Sequence, residues 1–147
     1  MRILLQRVKR AKVHVAGKRI SEIGKGYLLF VAVHKDDNPA DIDNLANKVS
    51  NLRIFADSCG KLSRDIKNNG GEILSVSQFT LYANTKKGNR PGFDDAAAQE
   101  KAKECWMRFN ELIEKKGITV KTGIFAQHME VELVNDGPVT IWLDSRT

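Results

Sequence analysis

The sequence predicts an α+β fold in which most strands run antiparallel. Two observations support this prediction. Short apolar or alternating runs separated by glycine turns are typical of strands, and two longer stretches with apolar residues every three or four positions are typical of helices. The chain has 147 residues, of which 41% are hydrophobic and 29% charged. We therefore expect one domain, residues 1–147, with a substantial core.

The first third of the chain is expected to begin with a meander of strands. Residues 12–16 alternate, with Val13 and Val15 on one face, and the apolar run at 27–33 is typical of a buried strand. Glycines at 17, 24 and 26 mark the turns. Four strands are predicted here, at 3–8, 12–16, 19–23 and 27–33.

Two helices are predicted, one in each half of the chain. Asn38 followed by Pro39 is a helix-start signal, and the apolar spacing that follows extends to residue 52. The second helix is expected to be capped by Asp94 or Asp95 and ended by Gly117. Residues 61–69 read as an irregular surface loop, and the apolar run at 73–82 is predicted to form one or two buried strands. Further strands are predicted at 53–55, 118–122, 129–134 and 139–143.

Polar side chains interrupt the apolar run at 73–82. Ser77, Gln78 and Thr80 fall within four residues, and burying such groups without partners costs roughly 1–3 kcal/mol each. Two interpretations are open on the residues alone. The cluster satisfies backbone groups at a strand break, or it faces a substrate pocket.

A basic segment follows this cluster directly. The net charge is +6, and Lys86, Lys87 and Arg90 lie in a loop rich in glycine, asparagine and proline. A solvated connection would have this composition, but so would a surface that contacts phosphate groups. The charge favours a polyanionic partner such as RNA.

The connection at residues 135–138 is predicted to be a hairpin turn. Its Asp136-Gly137 pair lies between two alternating runs, which is a strong hairpin signal. Pro138 is unexpected there, because proline removes a backbone donor where the next strand begins.

Two motifs together resemble the paired signature of the D-aminoacyl-tRNA deacylases. They are Ser77-Gln78-Phe79-Thr80 and the run Asn-Asp-Gly-Pro-Val-Thr at 135–140. The likeness extends along the chain through residues 6–8, 51–55 and 88–91. One departure is Gly92, where the family more often has serine, which leaves the stiffness of that loop open.

The resemblance implies an editing enzyme that hydrolyses the ester of D-aminoacyl-tRNA, and of mischarged glycyl-tRNA. It also implies a barrel-like core with two helices and an obligate homodimer with its sites at the subunit interface. Gly137-Pro138 would have a cis peptide and reach into the partner subunit's pocket. We expect this pair to reject L-aminoacyl groups, because a rigid backbone element beside the α-carbon would collide with any L side chain.

The sequence has no His, Cys, Asp or Glu cluster with zinc spacing and no glycine-rich phosphate loop, so we expect no metal and no cofactor. We expect a cytoplasmic location and no membrane association, since no apolar run approaches the ~20 residues that span a bilayer.

The resemblance also supplies the site residues. Those carried over as catalytic are Ser77, Gln78, Phe79 and Thr80. Phe125 and Met129 match positions facing the terminal adenosine, and Arg7 lies near the Gly-Pro loop. Apart from the resemblance, the charge of the basic loop and its position next to the polar cluster predict that Lys86, Lys87 and Arg90 contact the tRNA phosphates.

Two mechanisms are compatible with these residues. Thr80 attacks the ester, or the protein holds the ester while the tRNA 2′-hydroxyl helps to activate water. A threonine nucleophile normally needs a nearby base, and none of His14, His34 and His128 has an evident triad context, so we favour the second mechanism. A non-catalytic RNA-binding module is the alternative class, but the chain has few aromatic residues for base stacking.

Overall fold

The computed structural model describes all residues, 1–147. Eight strands and two helices form an α+β fold, as predicted, with a short 3-10 helix at Phe79–Tyr82. The elements are β1 Arg2–Val15, β2 Lys18–Ile23, β3 Gly26–Ala32, α1 Pro39–Asn51, β4 Phe55–Ala56, β5 Leu62–Arg64, β6 Glu72–Ser77, α2 Gln99–Glu114, β7 Val120–Thr122 and β8 Glu130–Asp144. Neither helix has the length and apolar character needed to cross a bilayer.

Six strands form one mixed sheet that curls into a nearly closed barrel. Its order is β2-β1-β3-β6-β7, and β8 pairs with β1. The ladders of β1 with β2, β3 and β8 are antiparallel, whereas β3-β6 and β6-β7 are parallel. β2 and β7 are the first and last strands of this order. The Ser21 hydroxyl on β2 donates to the Thr122 carbonyl on β7 at 2.9 Å, so a side chain bridges the two edges of the sheet.

The predicted meander has three strands, not four. Residues 3–8 and 12–16 were expected to be separate strands, but residues 3–15 lie in the single strand β1. No glycine or proline interrupts residues 8–12, so the strand continues. The first half of β1 pairs with β3 and its second half with β2 along one edge. β8 pairs with the opposite edge of both halves, with register shifts between Gln6 and Val8 and between Val8 and Arg10.

Apolar side chains form two cores on opposite faces of the sheet. The larger core packs both helices against residues such as Ile3, Leu5 and Leu29. The smaller one lies on the other face and includes Val13, Leu28 and Leu74. Glycine at position 26 lets β3 approach β6, because a Cβ there would overlap the carbonyl of Glu72.

The start of α1 is as predicted, whereas the start of α2 differs. The Asn38 side chain accepts from the backbone of Ala40 and Asp41 and forms a capping box. The predicted cap of α2 at Asp94 or Asp95 is wrong, because the Asp95 carbonyl accepts instead from the amide of Lys35 at 3.0 Å. The first residue of α2 is Gln99, and Ala98 is its N-cap.

Two further elements differ from the sequence-based predictions. The segment 61–69 contains β5, which pairs with β4 in a separate two-stranded ribbon. The predicted strand at 73–82 ends at Ser77 and continues as the 3-10 helix, because Gln78 donates its backbone N–H to Val31 and the chain then turns away from the sheet.

Candidate active site

The polar cluster lies at the carboxyl end of β6, where the chain leaves the sheet. Ser77 is the last residue of the strand and Gln78 caps the 3-10 helix. Carboxyl ends of parallel strands commonly hold ligand sites because the loops that follow them open away from the core. The polar residues therefore occupy an exposed strand end with a buried strand behind it.

A pocket of about 580 Å³ opens beside this strand end. Ser77, Gln78 and Phe79 form one wall. The start of α2 and the segment 125–129, which includes Phe125 and Met129, form the others. Thus five of the residues carried over from the resemblance line a single pocket, although as many as 52 positions separate them in sequence.

Thr80 lies next to this pocket and is not among the residues that line it. Its side-chain oxygen accepts a hydrogen bond from the Gln78 amide, so the two side chains are held together. Phe79 is 54% exposed, and its ring meets the edge of Phe93 with 4.9 Å between centroids. An exposed aromatic ring at a pocket rim is a surface on which a base or ribose could stack.

The far wall is fixed by buried contacts. The Phe125 ring lies 5.8 Å from Trp106, whose indole N–H donates to the Ser75 hydroxyl at 2.9 Å. Ala126 follows with a φ of +60°, which L-residues adopt at a cost of roughly 1–2 kcal/mol. The backbone therefore turns sharply at the pocket before Met129.

Sequence reasoning missed part of this lining. Gln127 and His128 border the pocket, as do Ala97, Gln99 and Ala102 at the start of α2. Two features of the sequence could have indicated these residues. His128 is adjacent to Met129, and the alanines at 96–98 have small side chains that leave space for a pocket. The other two histidines lie elsewhere. His14 is 3.6 Å from Glu132, and His34 packs against Tyr82.

The Gly137-Pro138 pair is not a hairpin turn, so that prediction is wrong. β8 runs continuously through residues 130–144, and both of its halves pair with β1. Between Gln6 and Val8 the register shifts from Thr140 to Asn135, which leaves residues 136–139 as a bulge beyond the sheet. Asp-Gly favours this bulge as it favours a hairpin, because both require unusual backbone angles.

This bulge is exposed and anchored at its base by Arg7. The Gly137-Pro138 peptide is cis, and both residues are exposed. Arg7 donates from Nε to the Asp136 carbonyl at 2.9 Å, and its Nη1 donates to the Ile54 carbonyl. Gly137, Pro138 and Arg7 do not line the pocket of their own chain.

The basic loop is closed at its base and open at its tip. Asn84 and Gly92 exchange two backbone hydrogen bonds, at 2.8 and 2.9 Å. Lys86, Lys87 and Arg90 are exposed between them, and none has an acidic partner. Their positive charge is thus available to a ligand at the surface.

Residues 1–147 hold no group of three or more His, Cys, Asp or Glu side chains placed to bind a metal ion.

Comparison with known proteins gives this arrangement a family. The family model described as D-Tyr-tRNA(Tyr) deacylase matches residues 4–144. A D-aminoacyl-tRNA deacylase of Chromobacterium violaceum is 52% identical and one of Symbiobacterium thermophilum 50% identical, and the alignments cover 99% of this chain and 98% and 96% of those proteins.

Solved structures agree in fold. A protein described as c-Myc DNA Unwinding Element Binding Protein superposes with a TM-score of 0.92 at 38% identity and covers 98% of both chains. A probable eukaryotic D-amino acid tRNA deacylase gives 0.84 at 17% identity over 97% of both chains, which supports the fold alone.

The family match and the named relatives thus identify this small α+β protein as a hydrolase of aminoacyl-tRNA esters. The chain belongs to the D-Tyr-tRNA(Tyr) deacylase family, and the resemblance seen in its two motifs is confirmed.

Proposed function

We propose that this protein hydrolyses the ester of D-aminoacyl-tRNA, and of mischarged glycyl-tRNA, in the cytoplasm. The observation that supports this most directly is the pocket in which Ser77, Gln78 and Phe79 face Phe125 and Met129. Its exposed aromatic ring suits the terminal adenosine, and its hydroxyl and amide groups suit the ester.

The neighbouring basic loop would hold the acceptor end of the tRNA. Lys86, Lys87 and Arg90 are free of acidic partners and come directly after the 3-10 helix that carries Phe79. Contacts to phosphate supply much of the affinity of RNA-binding proteins without reading sequence. We expect these residues to position the substrate and Ser77 and Gln78 to contact the ester.

Water attack assisted by the tRNA 2′-hydroxyl is the mechanism we favour over attack by Thr80. The only side-chain contact of the Thr80 hydroxyl is the Gln78 amide, which donates to it and cannot remove its proton. His128 lines the pocket and is the one histidine that a base mechanism could use. His128→Asn tests that route, because loss of a general base would cost about 10²–10⁴-fold in rate.

Selection against L-aminoacyl groups is assigned in this proposal to Gly137-Pro138 of a second subunit. A rigid backbone element beside the α-carbon excludes any L side chain, whatever its chemistry, whereas side-chain contacts vary with the amino acid. The bulge is exposed, anchored by Arg7, and has glycine at its tip with φ +147°. It does not line its own chain's pocket, which is consistent with a role in a partner's.

A homodimer is therefore part of the proposal. The sheet face that carries no helix presents Trp142, which is 48% exposed, beside the partly exposed Leu4 and Phe30. Apolar side chains of this size on a sheet surface are typical of protein interfaces. Two copies packed through this face would bring each bulge towards the other subunit.

The deciding experiment compares paired D- and L-tyrosyl-tRNA and glycyl-tRNA as substrates. We expect hydrolysis of the D and glycyl esters, in the presence of EDTA, and little hydrolysis of the L ester. Arg7→Met should lower D-ester hydrolysis or D/L discrimination, because the bulge loses its anchor. Tight tRNA binding without any hydrolysis would instead favour a non-catalytic RNA-binding module.

A further inference from the structure

Arg2, at the start of β1, contacts the 3-10 helix of the candidate site. Its Nη1 donates to the Leu81 carbonyl at 3.0 Å, and its guanidinium carbon lies 4.3 Å from the centre of the Tyr82 ring. Nε donates to Asp144 Oδ2 at 2.9 Å. One side chain thus joins the first strand, the last strand and the 3-10 helix.

The contact with Leu81 caps the C-terminal end of the 3-10 helix. A 3-10 helix leaves its last carbonyls without partners inside the helix, and the Leu81 carbonyl is one of them. At the other end, Gln78 is tied to the sheet through Val31. Phe79 and Thr80 lie between these two anchors, so their positions depend on both.

The guanidinium is itself held in place. The Asp144 side chain is only 7% exposed. Although burial raises the pKa of Asp144, the hydrogen bond from Arg2 lowers it below its ordinary value, so the carboxylate is charged at neutral pH. A planar guanidinium can donate to Asp144 and to Leu81 at the same time, which a lysine ammonium at the end of a flexible chain cannot reproduce in both directions.

We propose that Arg2 is a positioning residue for deacylation, acting through Leu81 and Tyr82 to hold Phe79 and Thr80 at the pocket. The proposal rests on the function assigned to this site. Arg2 lies at the start of β1 and is not among the residues that line the pocket, so it does not contact a substrate bound there directly.

The kinetic test compares Arg2→Met with Arg10→Met, which removes an exposed arginine of the same strand that has no acidic partner. We expect Arg2→Met to lower kcat about 10- to 100-fold, as for a reacting group displaced by roughly 1 Å, with a smaller change in KM. Arg2→Lys should restore part of this loss. Arg10→Met should match the wild type.

Two readouts separate positioning from a general loss of stability. If Arg2 acts through Thr80, the combined variant Arg2→Met/Thr80→Ala should be little slower than the slower single variant, whereas independent effects would multiply. Amide exchange at Leu81 and Ala83, whose N–H groups bond within this turn, should also quicken in Arg2→Met.

Multiplying effects, or unchanged exchange at both amides, would overturn the proposal. If Arg2→Met does not fold, Asp144→Asn loosens the guanidinium and serves for the same measurements. A wild-type protein without deacylase activity would refute the proposed function, but the amide exchange would still report whether Arg2 holds the helix.

Discussion

Thr80 carries the exposed hydroxyl at the end of the Ser77–Thr80 motif, and its substitution separates the two mechanisms. With only the Gln78 amide beside it, we expect Thr80→Ala to slow single-turnover hydrolysis of D-aminoacyl-tRNA by about 10- to 100-fold. A nucleophile would cost several orders of magnitude. Thr119→Ala, at an exposed threonine outside the pocket, is the matched control.

Detection of a covalent intermediate on Thr80 would contradict this prediction. An aminoacyl adduct on Thr80, trapped by acid quench and found by mass spectrometry, would show that threonine attacks the ester and that the 2′-hydroxyl route is wrong.

Gly123 supports the pocket wall by having no side chain. A Cβ at this position would lie 2.5 Å from the sulfur of Met129, which lines the pocket, so Gly123→Ala must displace the Met129 side chain. We expect a several-fold rise in KM, with a loss of stability of about 1–3 kcal/mol from overpacking. Kinetics and thermal melts measure both.

Gly24→Ala is the control for this substitution, since nothing lies within 4 Å of a Cβ there. If Gly123→Ala lowers the melting temperature but leaves KM unchanged, Met129 does not border the bound substrate.

At the scale of elements, the β4-β5 ribbon is held by Asp57. Its carboxylate accepts from the Ser63 hydroxyl and from the backbone of Lys61 and Cys59, and these bonds lower its pKa below the ordinary value. A depressed folded pKa means that this stabilisation is complete above the unfolded pKa of about 3.9 and is lost as pH falls through the folded value.

We therefore expect the Cys59 and Lys61 amide resonances to titrate with a midpoint below pH ~3.9. Asp57→Asn should abolish that titration, whereas Asp43→Asn, at an acid outside the ribbon, should leave it intact. A midpoint at or above the ordinary aspartate value would contradict the role of these hydrogen bonds.

Local signals predicted some elements and failed at others for a physical reason. Asn38-Pro39 located α1 because its cap uses only neighbouring residues. Asp94 and Asp95 offered an equally good local cap, but the Asp95 carbonyl accepts instead from the amide of Lys35, in the turn after β3. Likewise, Asp136-Gly137 has the same local preference in a hairpin and in a bulge, and only the pairing of β8 with β1 decides between them.

Only part of the candidate site could be predicted from the sequence. Residues 77–79, Phe125 and Met129 were identified through the resemblance, and they do line one pocket. Gln127 and Gln99 could not be identified, because their place depends on how α2 and the segment after β7 pack around the end of β6. Such packing leaves no periodic trace in a sequence.

At the scale of the whole molecule, the basic loop should control the response to salt. The logarithm of the binding constant falls linearly with the logarithm of the salt concentration, and each phosphate contact adds about 0.7–0.9 to the steepness of that slope. Replacing Lys86, Lys87 and Arg90 with glutamine should therefore flatten the salt dependence of kcat/KM by about two units.

The control removes the same charge elsewhere, from Lys18, Lys48 and Lys115, which are exposed and also lack acidic partners. Equal flattening in both variants would mean that tRNA responds to net charge and not to the loop.

Association of two chains should depend on the helix-free sheet face. We expect the wild type to sediment as a dimer and Trp142→Lys to dissociate, because it places a charge at the centre of an apolar interface, close to Arg2. Met107→Lys changes an equally exposed apolar residue on α2 and should remain dimeric. A monomeric wild type would exclude a site shared between subunits.

The pairing of the first strand with the last also bears on synthesis of the protein. β3 and β2 can join one edge of β1 as soon as they leave the ribosome, but the other edge waits for β8, more than a hundred residues later. During that interval the nascent chain exposes a long edge that can pair with other chains. Growth conditions that slow translation should therefore increase aggregation of this protein, and chaperones that shield strand edges should reduce it.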